Sequence, residues 1–166
     1  MTLQVRDLMV PDPVTLDPGD TLRFASGVLT SIGAGGAPVL KADRVIGVLS
    51  MTDILDFAAN HPTPAPPDTR RRDLGEETQE EADTAMAAPE GPEWDVLDEH
   101  TVAEVMSMRV LALPPAASVT EAAQLMESAG VRRILVMEGP QLVGILTARD
   151  LVQAMARGDL VPREPA

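Results

Sequence analysis

The sequence lacks several residue types that particular functions require. No cysteine occurs among the 166 residues, which excludes disulfides, thiolate nucleophiles and thiolate metal ligands. Tyrosine is absent, and Phe24, Phe57 and Trp94 are the only aromatic residues, so the stacking platforms of single-strand nucleic-acid binders are missing. Basic residues number 13 against 26 acidic ones, and the resulting net charge of −13 argues against a nucleic-acid partner.

Membrane and export signals are also missing from the sequence. No apolar run approaches the roughly 18 residues that cross a bilayer, and the first residues lack the basic-then-apolar layout of a signal peptide. The absence of cysteine fits a reducing compartment. We therefore expect a cytoplasmic protein with no membrane partner. Hydrophobic residues make up 45 % of the chain, which is enough for a packed, aliphatic core.

The chain contains an internal repeat that appears when it is aligned with itself at an offset of 97 positions. No gap is needed from residue 8 to residue 55. The matched pairs include Met9/Met106, Leu16/Leu113, Pro18/Pro115, Ala25/Ala122, Gly33/Gly130, Val39/Val136, Gly47/Gly144, Leu49/Leu146 and Asp53/Asp150. A unit of this size buries little surface alone, so two copies stacked sheet to sheet would share one core.

Each copy predicts the same order of elements, which is strand, helix, strand, strand, helix. In the second copy Ser118 and Glu121 form a predicted capping box at the start of a helix that Gly130 ends. Thr21 and Gly33 bracket the corresponding helix of the first copy. The fold class is therefore predicted as α+β, with two β-α-β-β-α repeats packed as one module.

The segment between the copies has a different composition. Residues 59–100 are rich in proline and hold twelve acidic residues against three arginines, so they carry −9 of the net charge. We expect an extended linker over residues 61–68, a charged helix or a disordered segment over 76–86, and order around Trp94. The predicted boundaries are repeat one over 1–58, an acidic insert over 59–100, repeat two over 101–158 and a tail over 159–166.

Two short signatures give the repeat a likeness to a known family. The pattern Gly-x-x-Ser/Thr-x-x-Asp ends each copy, at residues 47–53 and again at residues 144–150. Ala37-Pro38-Val39 matches the Pro-Val strand of the same family, whereas the second copy has Leu135 in place of the proline. The chain thus resembles a tandem pair of CBS domains, the regulatory module named after cystathionine beta-synthase, over about residues 3–58 and 101–157.

This resemblance implies a pseudo-twofold pair with two clefts between the copies. In many members a cleft holds an adenosine compound, such as AMP, ADP, ATP or S-adenosylmethionine, and many members form homodimers. We expect that no cofactor is required. The expected partners are an adenosine-type small molecule, a second copy of the chain and a regulated protein of unknown identity.

The signatures place candidate ligand residues at the start of the second helix of each copy. A ribose diol needs an acceptor for two O–H donors, and the carboxylates of Asp53 and Asp150 suit this role. Ser50 and Thr147 precede them by three residues and could hold a phosphate or sugar oxygen. The alternative is that these four residues only cap their helices.

Further candidates come from the walls of the clefts and from the charge of the second copy. The predicted wall residues are Thr15, Ala37, Pro38, Ala112 and Ile134. For a phosphate, the candidates are Arg132, Arg133 and Arg149, where the first copy has Gly35, Gly36 and Thr52. The alternative is that these arginines pair with surface carboxylates such as Glu127 or Glu138.

Other motifs carry no chemistry by sequence. The stretch Gly33-Ala34-Gly35-Gly36 joins a helix to a strand, the reverse of a dinucleotide-binding loop, and is interpreted as a turn. His61 and His100 have no nucleophile or ligand set at a recognisable spacing, so we expect neither an enzyme nor a metal site. Two functions remain, a stand-alone regulator that binds an adenosine compound and relays its presence to a partner, and an interaction module with empty clefts.

Overall fold

A computed structural model describes residues 3–61 and 93–160 as a mixed α and β structure, which confirms the predicted fold class. The first copy contains α1 (Val5–Leu8), β1 (Val10–Pro11), α2 (Leu22–Ser31), β2 (Gly36–Lys41), β3 (Arg44–Ser50) and α3 (Met51–Asn60). The remaining elements are α4 (Glu93–Glu99), α5 (Val102–Val105), β4 (Ala112–Leu113), α6 (Val119–Ala129), β5 (Arg133–Glu138), β6 (Gln141–Thr147) and α7 (Ala148–Arg157).

The helices that follow the short extended segments begin at the predicted residues. Thr21 caps α2 by accepting from the Phe24 N–H, and Ser118 caps α6 by accepting from the Glu121 N–H at 3.1 Å. The capping box predicted at Ser118 is only half formed, because the exposed Glu121 carboxylate does not accept from the Ser118 N–H. Single caps of this kind stabilise a helix by about 1 kcal/mol.

The N-terminal segment of each copy pairs with a strand of the other copy, and we call this arrangement the exchange of segments. Strand β1 of the first copy pairs antiparallel with β6 of the second, with Val10 opposite Ile145. In the opposite direction, Ser107 of the second copy bridges Val48 in β3 of the first. One sheet therefore has the order β1-β6-β5-β4, and the hairpin β2-β3 is extended in the same way by the bridges at Ser107 and Leu16.

Two of the matched glycines make room for these exchanged segments. A Cβ at Gly144 would lie 2.7 Å from Met9 Sδ and 3.0 Å from the Val10 carbonyl oxygen. At Gly47 it would lie 2.8 Å from both Met106 Sδ and the Ser107 carbonyl oxygen. The glycine and methionine matches of the repeat are thus explained by one packing contact that occurs twice.

The exchange extends into the two hydrophobic cores. Val5 belongs to the first copy but is fully buried in the core of the second, among Ile134, Val136 and Leu146. Val102 is its counterpart and is fully buried in the core of the first copy. Burying a valine side chain contributes about 1.5–3 kcal/mol, so each copy depends on the other for part of its core.

The end of the acidic insert docks on the first copy. Leu97 of α4 packs against the first core, and Arg23 Nε of α2 donates to Asp98 Oδ1 at 2.6 Å. The order expected around Trp94 is found for the backbone of α4, whereas the Trp94 side chain lies outside the described residues. Of the linker expected over residues 61–68, residues 62–68 lie outside the described ranges, and so does the segment 76–86. Within the described ranges, no helix is long and apolar enough to cross a membrane.

Candidate functional site

A cleft of about 590 Å³ opens between the two copies, and we name it the Asp150 cleft. The first copy contributes its N-terminal segment and the turn between α2 and β2, and the second copy contributes the start of β5 and the start of α7. Six of the predicted residues line this cleft: Pro38, Arg132, Arg133, Thr147, Arg149 and Asp150. The exchange of segments therefore builds one cleft from both copies.

A complete capping box fixes Asp150 at the start of α7. Asp150 Oδ2 accepts from the Thr147 N–H at 2.8 Å and from Thr147 Oγ1 at 2.6 Å, and the Asp150 N–H donates back to Oγ1 at 3.3 Å. The Ala148 N–H donates to the Arg132 carbonyl oxygen at 2.9 Å. Within the described residues, the Arg149 N–H is left as the free donor of the first turn.

The first copy repeats this geometry almost bond for bond. Asp53 Oδ2 accepts from the Ser50 N–H at 2.8 Å and from Ser50 Oγ at 2.6 Å, and the Asp53 N–H donates to Oγ at 3.1 Å. The Met51 N–H donates to the Gly35 carbonyl oxygen. The capping alternative is therefore realised for all four residues, with Ser50 and Thr147 as the N-caps and the aspartates three residues later.

Capping leaves each aspartate with an unused oxygen. All the bonds use Oδ2, so Oδ1 of Asp53 and of Asp150 has no donor among the described residues. The hydroxyl proton of Thr147 is committed to Asp150, so Oγ1 keeps one lone pair and no proton to offer. This arrangement can accept from a sugar hydroxyl, whereas a phosphate, which only accepts, would have to displace an existing bond.

One wall of the Asp150 cleft is aliphatic and open. Val10, Val14 and Ile32 are 48 %, 44 % and 46 % exposed, and all three line the cleft beside Ile145 and Pro38. Exposed aliphatic side chains gain when a flat apolar group displaces their water. Neither Phe24 nor Phe57, the two aromatic residues whose side chains the structure describes, lines the cleft, so a flat apolar group would pack against these aliphatic side chains.

The other side of the Asp150 cleft is basic. Arg132, Arg133 and Arg149 line it, and within the described part of the chain none of their side chains forms an ion pair. The pairs with Glu127 or Glu138 that were the alternative are not formed. Burial lowers the pKa of Arg133, the charge on Asp53 opposes that shift and Arg132 adds to it. These arginines are therefore available to an anion.

The remaining predicted residues lie outside the Asp150 cleft. Thr15 lines a second cavity of about 630 Å³ beside the two hairpin turns. Ala112 is exposed on β4. The side chains of Ala37 and Ile134 are 3 % and 1 % exposed and belong to the two cores, which places them beneath the cleft walls.

Sequence reasoning missed two parts of this cleft. The turn Gly33–Gly36 does join a helix to a strand as interpreted, yet all four of its residues line the cleft. Asp12, Pro13 and Val14 of the N-terminal segment were not predicted either. The repeat was the signal in the sequence that could have pointed to them, because Asp12, Pro13 and Val14 correspond to Arg109, Val110 and Leu111 of the second copy. In the residues that the structure describes, no group of three histidine or acidic side chains could hold a metal ion.

Comparisons with known proteins agree with this architecture. A model of the CBS domain matches residues 5–60 and 102–157. An uncharacterized protein of Methanocaldococcus jannaschii, MJ1426, is 28 % identical over 133 residues, which is 72 % of each chain.

Two solved structures of similar fold contain adenosine compounds. The CBS domain pair of MJ0100, in complex with 5′-methylthioadenosine and S-adenosyl-L-methionine, has a TM-score of 0.70 at 15 % identity, covering 95 % of this chain and 99 % of its own. CBSX2 in complex with AMP has a TM-score of 0.65 at 20 % identity, covering 95 % and 98 %. The matched ranges coincide with the two copies of the repeat, so this chain belongs to the CBS domain family and carries two CBS domains.

Proposed function

We propose that this chain is a regulatory module that binds an adenosine-containing ligand in the Asp150 cleft and relays its presence to a partner protein. The observation that carries this proposal is the juxtaposition of three complementary surfaces within one cleft: an aliphatic wall, an aspartate with an unused oxygen, and unpaired arginines. The adenosine ligands of MJ0100 and CBSX2 support the choice of ligand class.

The cleft offers a partner to each part of such a ligand. The base would pack against Val10, Val14 and Ile32, and the ribose hydroxyls would donate to Asp150 Oδ1 and Thr147 Oγ1. Charge-assisted hydrogen bonds contribute about 1.5–3 kcal/mol each, so the diol is the main anchor that a point mutation can remove.

A route for the relay follows from what the cleft turn is attached to. The turn Gly33–Gly36 follows α2, α2 packs against α4, and α4 forms the end of the acidic insert. A ligand can shift α2 and α4 only if it binds one position of this turn more tightly than another position. The regulated partner would then contact α4 or the insert.

We also propose that the module acts as a homodimer. Leu55 on α3 and Val152 on α7 occupy equivalent positions of the two copies, and each is 63 % exposed. Met155 adds to this apolar surface at 56 %. A surface with internal twofold symmetry suits an isologous contact with a second copy. Light scattering of the wild type and of Leu55→Glu would test it: the wild type is expected to be a dimer and the variant a monomer, and a monomeric wild type would overturn the proposal.

The sharpest test of binding uses the two aspartates as a matched pair. Asp53→Ala and Asp150→Ala remove the same set of capping bonds, so both variants should lose similar stability, about 1 kcal/mol. Only Asp150→Ala should lose affinity, by about tenfold to a hundredfold for the one hydroxyl contact that Asp150 Oδ1 accepts. Titration calorimetry with adenosine, AMP, ADP, ATP and S-adenosylmethionine measures this.

The outcomes of that titration separate the candidate functions. Sub-millimolar binding to the wild type that Asp150→Ala abolishes supports the proposal. Binding that survives Asp150→Ala contradicts the ribose assignment. If none of the five compounds binds the folded wild type below millimolar concentration, the interaction module with empty clefts becomes the better account.

A further inference from the structure

The two histidines of the sequence lie close together where the acidic insert begins and ends. His61 follows α3 and His100 precedes α5, and their ring centres are 5.8 Å apart. Phe57 contacts both rings, because it stacks on His61 at 4.0 Å and makes an edge contact with His100 at 4.8 Å. Phe57 itself packs against the first hydrophobic core. The fold therefore brings together two imidazoles that are far apart in the sequence.

Hydrogen bonds at Nδ1 determine which nitrogen of each neutral ring carries the proton. Nδ1 of His61 lies 2.9 Å from the Phe57 carbonyl oxygen, and Nδ1 of His100 lies 3.1 Å from Glu104 Oε1. A carbonyl oxygen only accepts, and so does the Glu104 carboxylate, whose pKa is lowered to about 2, mainly by the Thr101 N–H. Both Nδ1 atoms must therefore donate, and each Nε2 keeps its lone pair.

Both Nε2 atoms are accessible to a ligand. Neither has a hydrogen-bond partner among the described residues. The His100 side chain is 31 % exposed, and His61 is exposed as well. Histidines that bind metal ions almost always donate their other ring N–H to a carbonyl or a carboxylate, which fixes the tautomer and the ring orientation. His61 and His100 each have such a partner.

The distance between the rings suits one shared metal ion. Two imidazoles that bind one Zn²⁺ through bonds of about 2.0–2.1 Å have ring centres roughly 5–6 Å apart, and those of His61 and His100 are 5.8 Å apart. Imidazole nitrogens favour Zn²⁺, Cu²⁺ and Ni²⁺, whereas Mg²⁺ and Ca²⁺ favour oxygen ligands. No third histidine or acidic side chain of the described residues completes the set, so water would fill the remaining positions.

We infer that the module has a second binding site, which holds a divalent transition-metal ion through Nε2 of His61 and Nε2 of His100. The site goes beyond the proposed function, because neither histidine lines the Asp150 cleft. An ion held by both rings connects the two ends of the acidic insert. The His100 carbonyl oxygen also accepts from the Leu22 N–H at the start of α2. Metal binding would therefore fix the segment between α4 and α5 against α2 and α3.

A zinc titration of the untagged full-length chain, followed by NMR of the imidazole rings, tests this site. The sequence has two histidines and no cysteine, so one variant assigns both ring signals. Without metal, neutral rings should carry their proton on Nδ1. ZnCl₂ should then shift both rings together and saturate at one ion per chain, with a dissociation constant below about 1 mM. MgCl₂ at the same concentrations should leave both rings unchanged.

His61→Gln and His100→Gln each remove one of the two ligands. Each variant should therefore weaken zinc binding by about tenfold or more. Glu99→Gln is the matched control, because it removes an exposed carboxylate beside His100 in the sequence and keeps both imidazoles. Its affinity for zinc should stay within about threefold of the wild-type value, since no carboxylate is among the ligands.

Four results would overturn the inference. They are the absence of zinc binding below about 1 mM, metal-free neutral rings with the proton on Nε2, histidine variants that both keep the wild-type affinity, and magnesium that binds as tightly as zinc. The last result would assign the ion to the carboxylates of the acidic insert. The comparison of zinc with magnesium uses the wild type alone, so it stands even if a variant does not fold. None of these results depends on whether an adenosine compound binds, so the proposed function is tested separately.

Discussion

Gly144 is the position where the exchange of segments between the copies can be tested most sharply by stability. Its backbone runs under Met9 and Val10, which belong to the other copy. In Gly144→Ala the added Cβ would lie 2.7 Å from Met9 Sδ and 3.0 Å from the Val10 carbonyl oxygen. The methionine side chain can move, but the carbonyl oxygen belongs to a paired backbone, so β1 must shift away from β6.

The expected loss of stability follows from the usual effect of overpacking a filled site. Adding a methyl group to a filled site typically destabilises by about 1–3 kcal/mol. A chain of this length loses about 2–4 °C of melting temperature per kcal/mol. We therefore expect Gly144→Ala to melt roughly 4–8 °C below the wild type for a cost of about 2 kcal/mol. Gly47→Ala should behave similarly, because its surroundings are the counterpart ones.

Gly27→Ala is the control, and it should change the melting temperature in the opposite direction. Gly27 lies within α2 with nothing within 4 Å of an added Cβ. Alanine is favoured over glycine inside a helix by about 0.5–1 kcal/mol, so this variant should melt above the wild type. Thermal unfolding followed by circular dichroism measures all three. If Gly144→Ala melts at or above the wild-type temperature, the N-terminal segment does not lie on β6.

Two further predictions concern the shared cores and the start of α5. Val5→Ala and Val102→Ala should each lower the free energy of unfolding by about 1–3 kcal/mol in urea titrations. Met108 is exposed, so Met108→Ala should change it by less than about 0.5 kcal/mol. Equal effects of all three would contradict the pairing of each N-terminal segment with the other copy. The pKa of Glu104 is lowered from 4.5 to about 2, mainly because its carboxylate accepts from the Thr101 N–H and then from His100. A carboxylate whose pKa is lowered by folding stabilises the folded state above pH 4.5, and this stabilisation is lost as the pH falls towards 2. Glu104→Gln should therefore be less stable than the wild type at pH 7, and the difference in stability should disappear between pH 4.5 and pH 2. A difference that does not depend on pH would contradict the lowered pKa of Glu104.

Local features of the fold could be predicted from the sequence because neighbouring residues determine them. Thr21 and Ser118 cap their helices, and the Ser/Thr-x-x-Asp signatures form capping boxes, because each cap involves residues three positions apart. The repeat was detectable for a similar reason, since Gly47 and Gly144 accept the same close contact.

The exchange of segments could not be predicted, because a match at an offset of 97 residues shows which positions are equivalent and not which copy they pair with. Val5 could have packed against either core, and it lies in the second. The cleft walls were predicted incompletely for the same reason: Asp12 and Val14 line the cleft together with the signature of the other copy. Arg133 shows the limit most clearly, since its contact with Gly36 exists only across the pseudo-twofold axis.

The central claim is that the Asp150 cleft holds an adenosine-containing ligand, and a crystal structure of the chain with AMP tests it most directly. The account predicts AMP in this cleft, with the ribose hydroxyls on Asp150 Oδ1 and Thr147 Oγ1 and the base against Val10 and Ile32. Density for AMP only at Asp53, or no density in either cleft at saturating AMP, would contradict it.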